Sequence, residues 1–113
     1  MSTPDAGDLI WTDFDPRMGR EQGARRPALA VWPRAFQETT ALLIVCPITS
    51  RVRPFPSSVV LPPGLPVQGE ILVSHVRSID GLARPVRPIE ASVAPAVLAE
   101  VRAKLAALTG ITS

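Results

Sequence analysis

The chain has 113 residues, of which 46% are hydrophobic and 19% charged, and its formal net charge is +2. That length suits a single domain over residues 1–113, and the composition is that of a folded chain rather than a disordered one. The near-balanced charge identifies no class of partner, but eleven of the twelve basic residues are Arg, with Lys104 the only Lys. Arg offers a planar fork of donors that suits phosphate, although a GC-rich genome produces the same bias.

Cys46 is the only cysteine, so neither an intrachain disulfide nor a zinc set can form, and it reads as an inert buried thiol. The opening residues 1–7 lack the basic start and apolar stretch of a signal peptide. No run is long enough to span a membrane, so the expected location is the cytoplasm.

In chain order, residues 1–6 read as a frayed tail and 8–13 as a first strand. Residues 14–26 carry Pro16, Gly19, Gly23 and four Arg, and are expected to form a long surface loop of functional character. A second strand is expected over 27–32 and stops at Pro33. The apolar run 40–46 predicts a strand buried on both faces and ended by Pro47, with a polar loop over 48–53. A fourth strand is expected at 57–61, a turn at Pro62-Pro63-Gly64, and one or two short strands over 70–76 and 77–80. Leu98, Val101, Leu105 and Leu108 recur at helical spacing, which predicts a helix over about 95–109 with Pro95 in its first turn and Gly110 at its end. Several short strands and one late helix imply a mainly β fold: a small curved barrel with a helix packed on it.

Most catalytic sets are absent. His75 is the only His, which excludes a two-histidine ribonuclease mechanism within one subunit. There is no phosphate-binding Gly-rich loop, no nucleophile elbow, and no acidic spacing that points to a magnesium site. What remains is a pair of polar, cationic loops around residues 13–27 and 47–51.

These loops carry a resemblance. Gly-Asp-Leu-Ile-Trp at 7–11, Asp-Phe-Asp-Pro at 13–16, Gly-Arg-Glu-Gln at 19–22 and Arg-Arg-Pro-Ala-Leu at 25–29 are similar to the opening signature of the MazF/PemK toxins. Pro-Ile-Thr-Ser at 47–50 resembles that family's second motif, and Val-Arg-Ser-Ile at 76–79 its third. Val-Ala-Pro before the last helix also matches. The chain departs from the pattern at Ser74-His75, where relatives carry Asp-Gln, and at Gly23-Ala24, which inverts the usual Ala-Gly.

The resemblance implies an SH3-like barrel of the CcdB/MazF/PemK type, a homodimer, and a cognate antitoxin protein that covers the RNA groove, with DNA met only through that antitoxin. It implies a metal-independent, sequence-specific endoribonuclease, an mRNA interferase that inhibits translation and growth. The expected catalytic residues are Arg26 and Thr49, with Glu21 as a base or Arg-orienting group. Residues expected to bind RNA are Phe14, Pro16, Arg17, Gln22, Arg25, Ser50, Arg51, Arg53, Arg77 and Ser78.

The chemistry fits these residue types. RNA cleaves itself when its 2′-hydroxyl attacks the adjacent phosphorus, and a fixed guanidinium stabilises the charge that gathers on the phosphoryl oxygens. Arg26 is always charged, which suits that role and makes it a poor base. Thr49 can donate to a phosphoryl oxygen or position the 2′-hydroxyl, and Phe14 can stack on a base.

Plainer readings stand beside these. Arg25-Arg26 can be a solvated pair, Thr49 a turn former, and Glu21 a neutralising partner for Arg20 or Arg25. Trp11 reads as a core aromatic and His75 as structural. Two other functions stay open: a non-enzymatic, CcdB-like toxin that binds DNA gyrase, and a plain RNA-binding barrel.

Overall fold

The computed structural model describes residues 3–13, 25–81 and 86–110. In order these form β1 (Asp8–Asp13), β2 (Arg25–Ala30), α1 (Arg34–Thr40), β3 (Leu42–Thr49), β4 (Val59–Val60), β5 (Glu70–Ile71), β6 (Arg77–Asp80), β7 (Val86–Ser92) and α2 (Pro95–Leu108), with a 3-10 turn at Val73–His75. Residues 14–24, the body of the expected first loop, lie outside the described residues.

The strands make one antiparallel sheet in the order β4-β5-β3-β2-β1-β7, with β6 also paired to β3. The mainly β architecture with a C-terminal helix is as expected. Among the described residues, however, the ladder does not close into a barrel.

β3 is the hub, with β2 on one side and β6 followed by β5 on the other. Contrary to expectation, Pro47 does not end it. The carbonyl of Pro47 accepts the Leu72 N–H at 2.9 Å, so its missing N–H faces the side on which β3 passes from β6 to β5. A proline costs little where no ladder donor is required, and the strand continues to Thr49.

Burial alternates along the central strands and separates two clusters. Leu9, Leu29, Cys46 and Ile48 join the larger one, with Ile71, Val73 and Val101. Ile10, Ala28, Leu43, Val45 and Ile79 form the smaller one on the opposite side chain face. The expectation that both faces of β3 are buried therefore holds for its centre, while Leu42 is exposed. α2 covers the larger cluster with Val101, flanked by Leu98 and Leu105, but Leu108 of the expected helix face is exposed. Burial pushes the Cys46 thiol up to about 12, so it is inert at neutral pH.

Three further features depart from the sequence expectation. α1 was not foreseen; its αL C-cap is Ala41, at φ 63°, and its one buried residue is Gln37. β7 was not foreseen either. It is the edge strand beside β1, and residues 89–91 bulge opposite Leu9, with Glu90 at φ 64°. Residues 3–6, expected within a frayed tail, are tied down: Asp5 Oδ1 accepts the Arg34 N–H at 2.9 Å, and the Thr3 carbonyl accepts Arg34 Nε–H at 2.8 Å.

Gly69 fixes how closely β5 approaches the end of β3. Its φ is +142°, and a Cβ built there would collide with the Thr49 carbonyl oxygen. A side chain would therefore push Thr49 aside as well as strain the backbone. Gly69→Ala is expected to cost about 2 kcal/mol or more, read from the shift of the urea unfolding midpoint. A variant of wild-type stability would show that the approach is not constrained.

Candidate active site

The register of β2 decides where the two neighbouring arginines stand. Arg26 pairs with Thr12 and Arg25 with Asp13, so the two Arg point to opposite faces of the sheet. Arg26 shares its face with Ile10 and Ala28, the face of the smaller cluster.

The β2–β3 ladder pairs Ala28 with Pro47, Leu29 with Cys46 and Ala30 with Val45. Continued by one residue, it sets Pro27 opposite Ile48, where Pro27 has no N–H to give, and the ladder stops. Continued by two, it sets Arg26 opposite Thr49. Both side chains then lie on one face at the open end of the β2–β3 pair, Arg26 exposed and Thr49 half-buried.

Thr49 is prepared to donate. Its Oγ1 accepts the backbone N–H of Arg51 at 3.2 Å, which leaves the hydroxyl proton free for another acceptor. Ser50, Arg51 and Arg53 follow it in the β3–β4 loop, all exposed. Arg77 pairs with Val45, so it shares the face of Thr49, about 13 Å away along β3 at the usual rise of a strand.

Other expected residues are not gathered here. Ser78 pairs with Ile44 and so stands on the face opposite Arg77. Arg25 stands across the sheet from Arg26, beside Asp13. Trp11 is half-buried against Pro27 and Arg87 rather than part of the core, and His75 is exposed on the 3-10 turn. Glu21, Phe14, Pro16, Arg17 and Gln22 lie outside the described residues.

Sequence reasoning missed three residues near this site. Thr12, opposite Arg26, is 1% exposed, and its hydroxyl has no hydrogen-bond partner among the described residues. Glu70 pairs with Thr49 and is also buried. Its carboxyl is held below the usual carboxylate range, first by the Ser58 hydroxyl and then by the N–H groups of Arg53 and Phe55, against the opposing effect of desolvation. Phe55 is 58% exposed in the same loop. Alternation along β1 could have placed Thr12 with Arg26, whereas nothing local marks Glu70.

Among the described residues, no group of three or more His, Cys, Asp or Glu is placed to hold a metal ion. The arrangement offers instead a guanidinium, a hydroxyl with a free proton and a loop bearing further Arg. Such a set can grip a phosphodiester and stabilise charge on its oxygens.

Comparison with known proteins gives this geometry a family. A family model described as PemK-like, MazF-like toxin of type II toxin-antitoxin system matches residues 5–109. The endoribonuclease toxin MazF of Escherichia coli (strain K12) is 38% identical over 107 residues, which make up 95% of this chain and 95% of that protein. The crystal structure of MazF from Deinococcus radiodurans superposes with a TM-score of 0.87 at 45% identity, covering 98% of this chain and 100% of that one. A MazE–MazF structure from the same organism gives 0.86 at 41% identity, covering 99% of this chain and 100% of that one. The chain thus belongs to the PemK-like, MazF-like toxins of type II toxin–antitoxin systems.

Proposed function

We propose that this toxin is an endoribonuclease that cuts single-stranded RNA in the cytoplasm without a metal, by attack of the RNA's own 2′-hydroxyl. The observation that carries the reading is the β2–β3 register, whose continuation makes Arg26 and Thr49 neighbours on one face. The named relatives that match nearly the whole chain are endoribonucleases, which favours this reading over gyrase binding or plain RNA binding.

In the reaction, the O2′–P bond forms and the P–O5′ bond breaks. The 2′-hydroxyl loses its proton and O5′ gains one, leaving a 2′,3′-cyclic phosphate and a 5′-hydroxyl. Arg26 faces the charge that builds on the phosphoryl oxygens, and it can deliver a proton to O5′. Thr49, with its oxygen already occupied by the Arg51 N–H, donates its proton to a phosphoryl oxygen. Glu21 takes the role of base or orients Arg26. Arg51, Arg53 and Arg77 neutralise flanking phosphates, with Ser50 beside them.

We further assign the toxin a homodimeric state and a cognate antitoxin that covers the RNA site. A small domain that leaves Phe36, Leu42, Val60 and Leu108 exposed gains from a partner surface. Light scattering at micromolar concentration is expected to give twice the 12.1 kDa of one chain. A single-chain mass at every concentration would exclude the dimer.

The site makes a sharper prediction. Arg26→Ala is expected to lower the cleavage rate by roughly 10²–10³, the usual loss for one transition-state donor, with a much smaller loss of RNA affinity. Arg26→Lys is expected to be poor as well, because a point charge does not reproduce the planar fork. Thr49→Ala loses less. Arg25, on the opposite face, is the control: Arg25→Ala weakens binding and its salt dependence only. Single-turnover cleavage of a labelled RNA reads all four. An essential Arg25 with a dispensable Arg26 would overturn the assignment.

A further inference from the structure

Glu70 sits on the face of the sheet that carries Thr49, away from the larger cluster. Cross-strand partners share a face, and Glu70 pairs with both Thr49 and Val60. Val60, on that face, is 46% exposed, yet Glu70 is 1% exposed. The β3–β4 loop binds its carboxylate through hydrogen bonds. Oε1 accepts the Arg53 N–H at 2.7 Å, Oε2 accepts the Phe55 N–H at 3.3 Å, and the Ser58 hydroxyl donates to Oε2. The loop is also fastened from α2, where Lys104 Nζ donates to the Ser58 carbonyl at 2.7 Å.

A buried carboxylate is costly unless its acceptor sites are filled, and here the loop backbone fills them. The arrangement fixes the path of residues 53–58 while leaving the side chains of Arg53 and Phe55 in solvent. Alternating cationic and apolar residues on a fixed backbone suit single-stranded RNA, with Arg51 and Arg53 for phosphates and Phe55 for the face of a base. A loop ordered before binding does not bear that ordering cost when RNA arrives.

We propose that Glu70 is a positioning residue for the RNA substrate: its buried carboxylate holds the 53–58 loop so that Arg53 and Phe55 form a preset phosphate-and-base platform beside Thr49. This role rests on the proposed RNA cleavage, so wild-type cleavage of a single-stranded RNA is measured first. A wild-type protein that cuts no RNA overturns the proposed function and this role with it.

Glu70→Gln keeps the shape but turns one acceptor into a donor that faces the loop's own donors. With an active wild type, KM for that RNA is expected to rise about tenfold while kcat stays within about twofold. Hydrogen exchange at the Arg53 and Phe55 amides is expected to accelerate, with amides of β1 to β3 unchanged. Ser58→Ala removes the hydroxyl that donates to Oε2 and accepts the Phe55 N–H at 3.2 Å, keeps the carboxylate, and is expected to shift KM the same way by about threefold, which keeps the test valid if Glu70→Gln does not fold. A purely structural Glu70 would lower the melting temperature and leave KM of the folded enzyme unchanged. That result, or a fall in kcat at constant KM, overturns the proposal.

Discussion

The register between β2 and β3 is the constraint on which the site depends. Three cross-strand pairs, from Ala28–Pro47 to Ala30–Val45, lock the two strands, and two prolines shape the ends of their pairing. Pro27 ends the hydrogen-bonded ladder just before Arg26, and Pro47 sits where β3 changes partner on its other side. A slip of one residue would send every side chain of β2 to the opposite face and exchange Arg26 for Arg25. The apolar alternation in the same strands opposes such a slip. Ala28 and Leu29 belong to different clusters, and moving either would expose or overpack a core that the sheet already fills.

On the far side of Thr49 the structure solves a second problem, namely how to hold a polar loop without a core beneath it. Gly69 lets β5 come up against the Thr49 carbonyl, and Glu70, the next residue, turns its carboxylate to the loop that Thr49 begins. The hydroxyl of Thr49 and the backbone of Arg51 add a local turn of their own. Backbone geometry, more than packing, therefore sets where the cationic side chains emerge, which suits a surface that must stay wet until a polyanion displaces the water.

Much of this was legible in the sequence, for reasons that differ by element. β1 was readable because its alternation is local, and α2 because three of its four spaced apolar residues do pack inward. α1 was not, since its signal is a single buried Gln37, which donates to the Trp32 carbonyl, and a ring contact between Trp32 and Phe36 at 5.5 Å. β7 was missed because edge strands tolerate polar residues, Pro88 and a bulge, all of which read as loop. The end of β3 was misplaced because the cost of Pro47 depends on which side of the strand lacks a partner, and that is a tertiary fact. Motif resemblance is what singles out Arg26 and Thr49, and their placement on one face follows only when the β2–β3 register is continued beyond Ala28–Pro47. Glu70 had no local sign at all, since the groups that hold its carboxylate lie 12 to 17 residues earlier in the chain.

In the proposed reaction the RNA supplies its own nucleophile to a site made of Arg26 and Thr49. The most direct measurement places a single 2′-deoxy nucleotide at the mapped cut position of a labelled RNA and follows scission in excess chelator. The all-ribose RNA is expected to be cut, with 2′,3′-cyclic phosphate and 5′-hydroxyl ends, and the substituted RNA to stay intact at that bond. Scission at the deoxy position, or loss of all cleavage on chelation, would contradict that reaction.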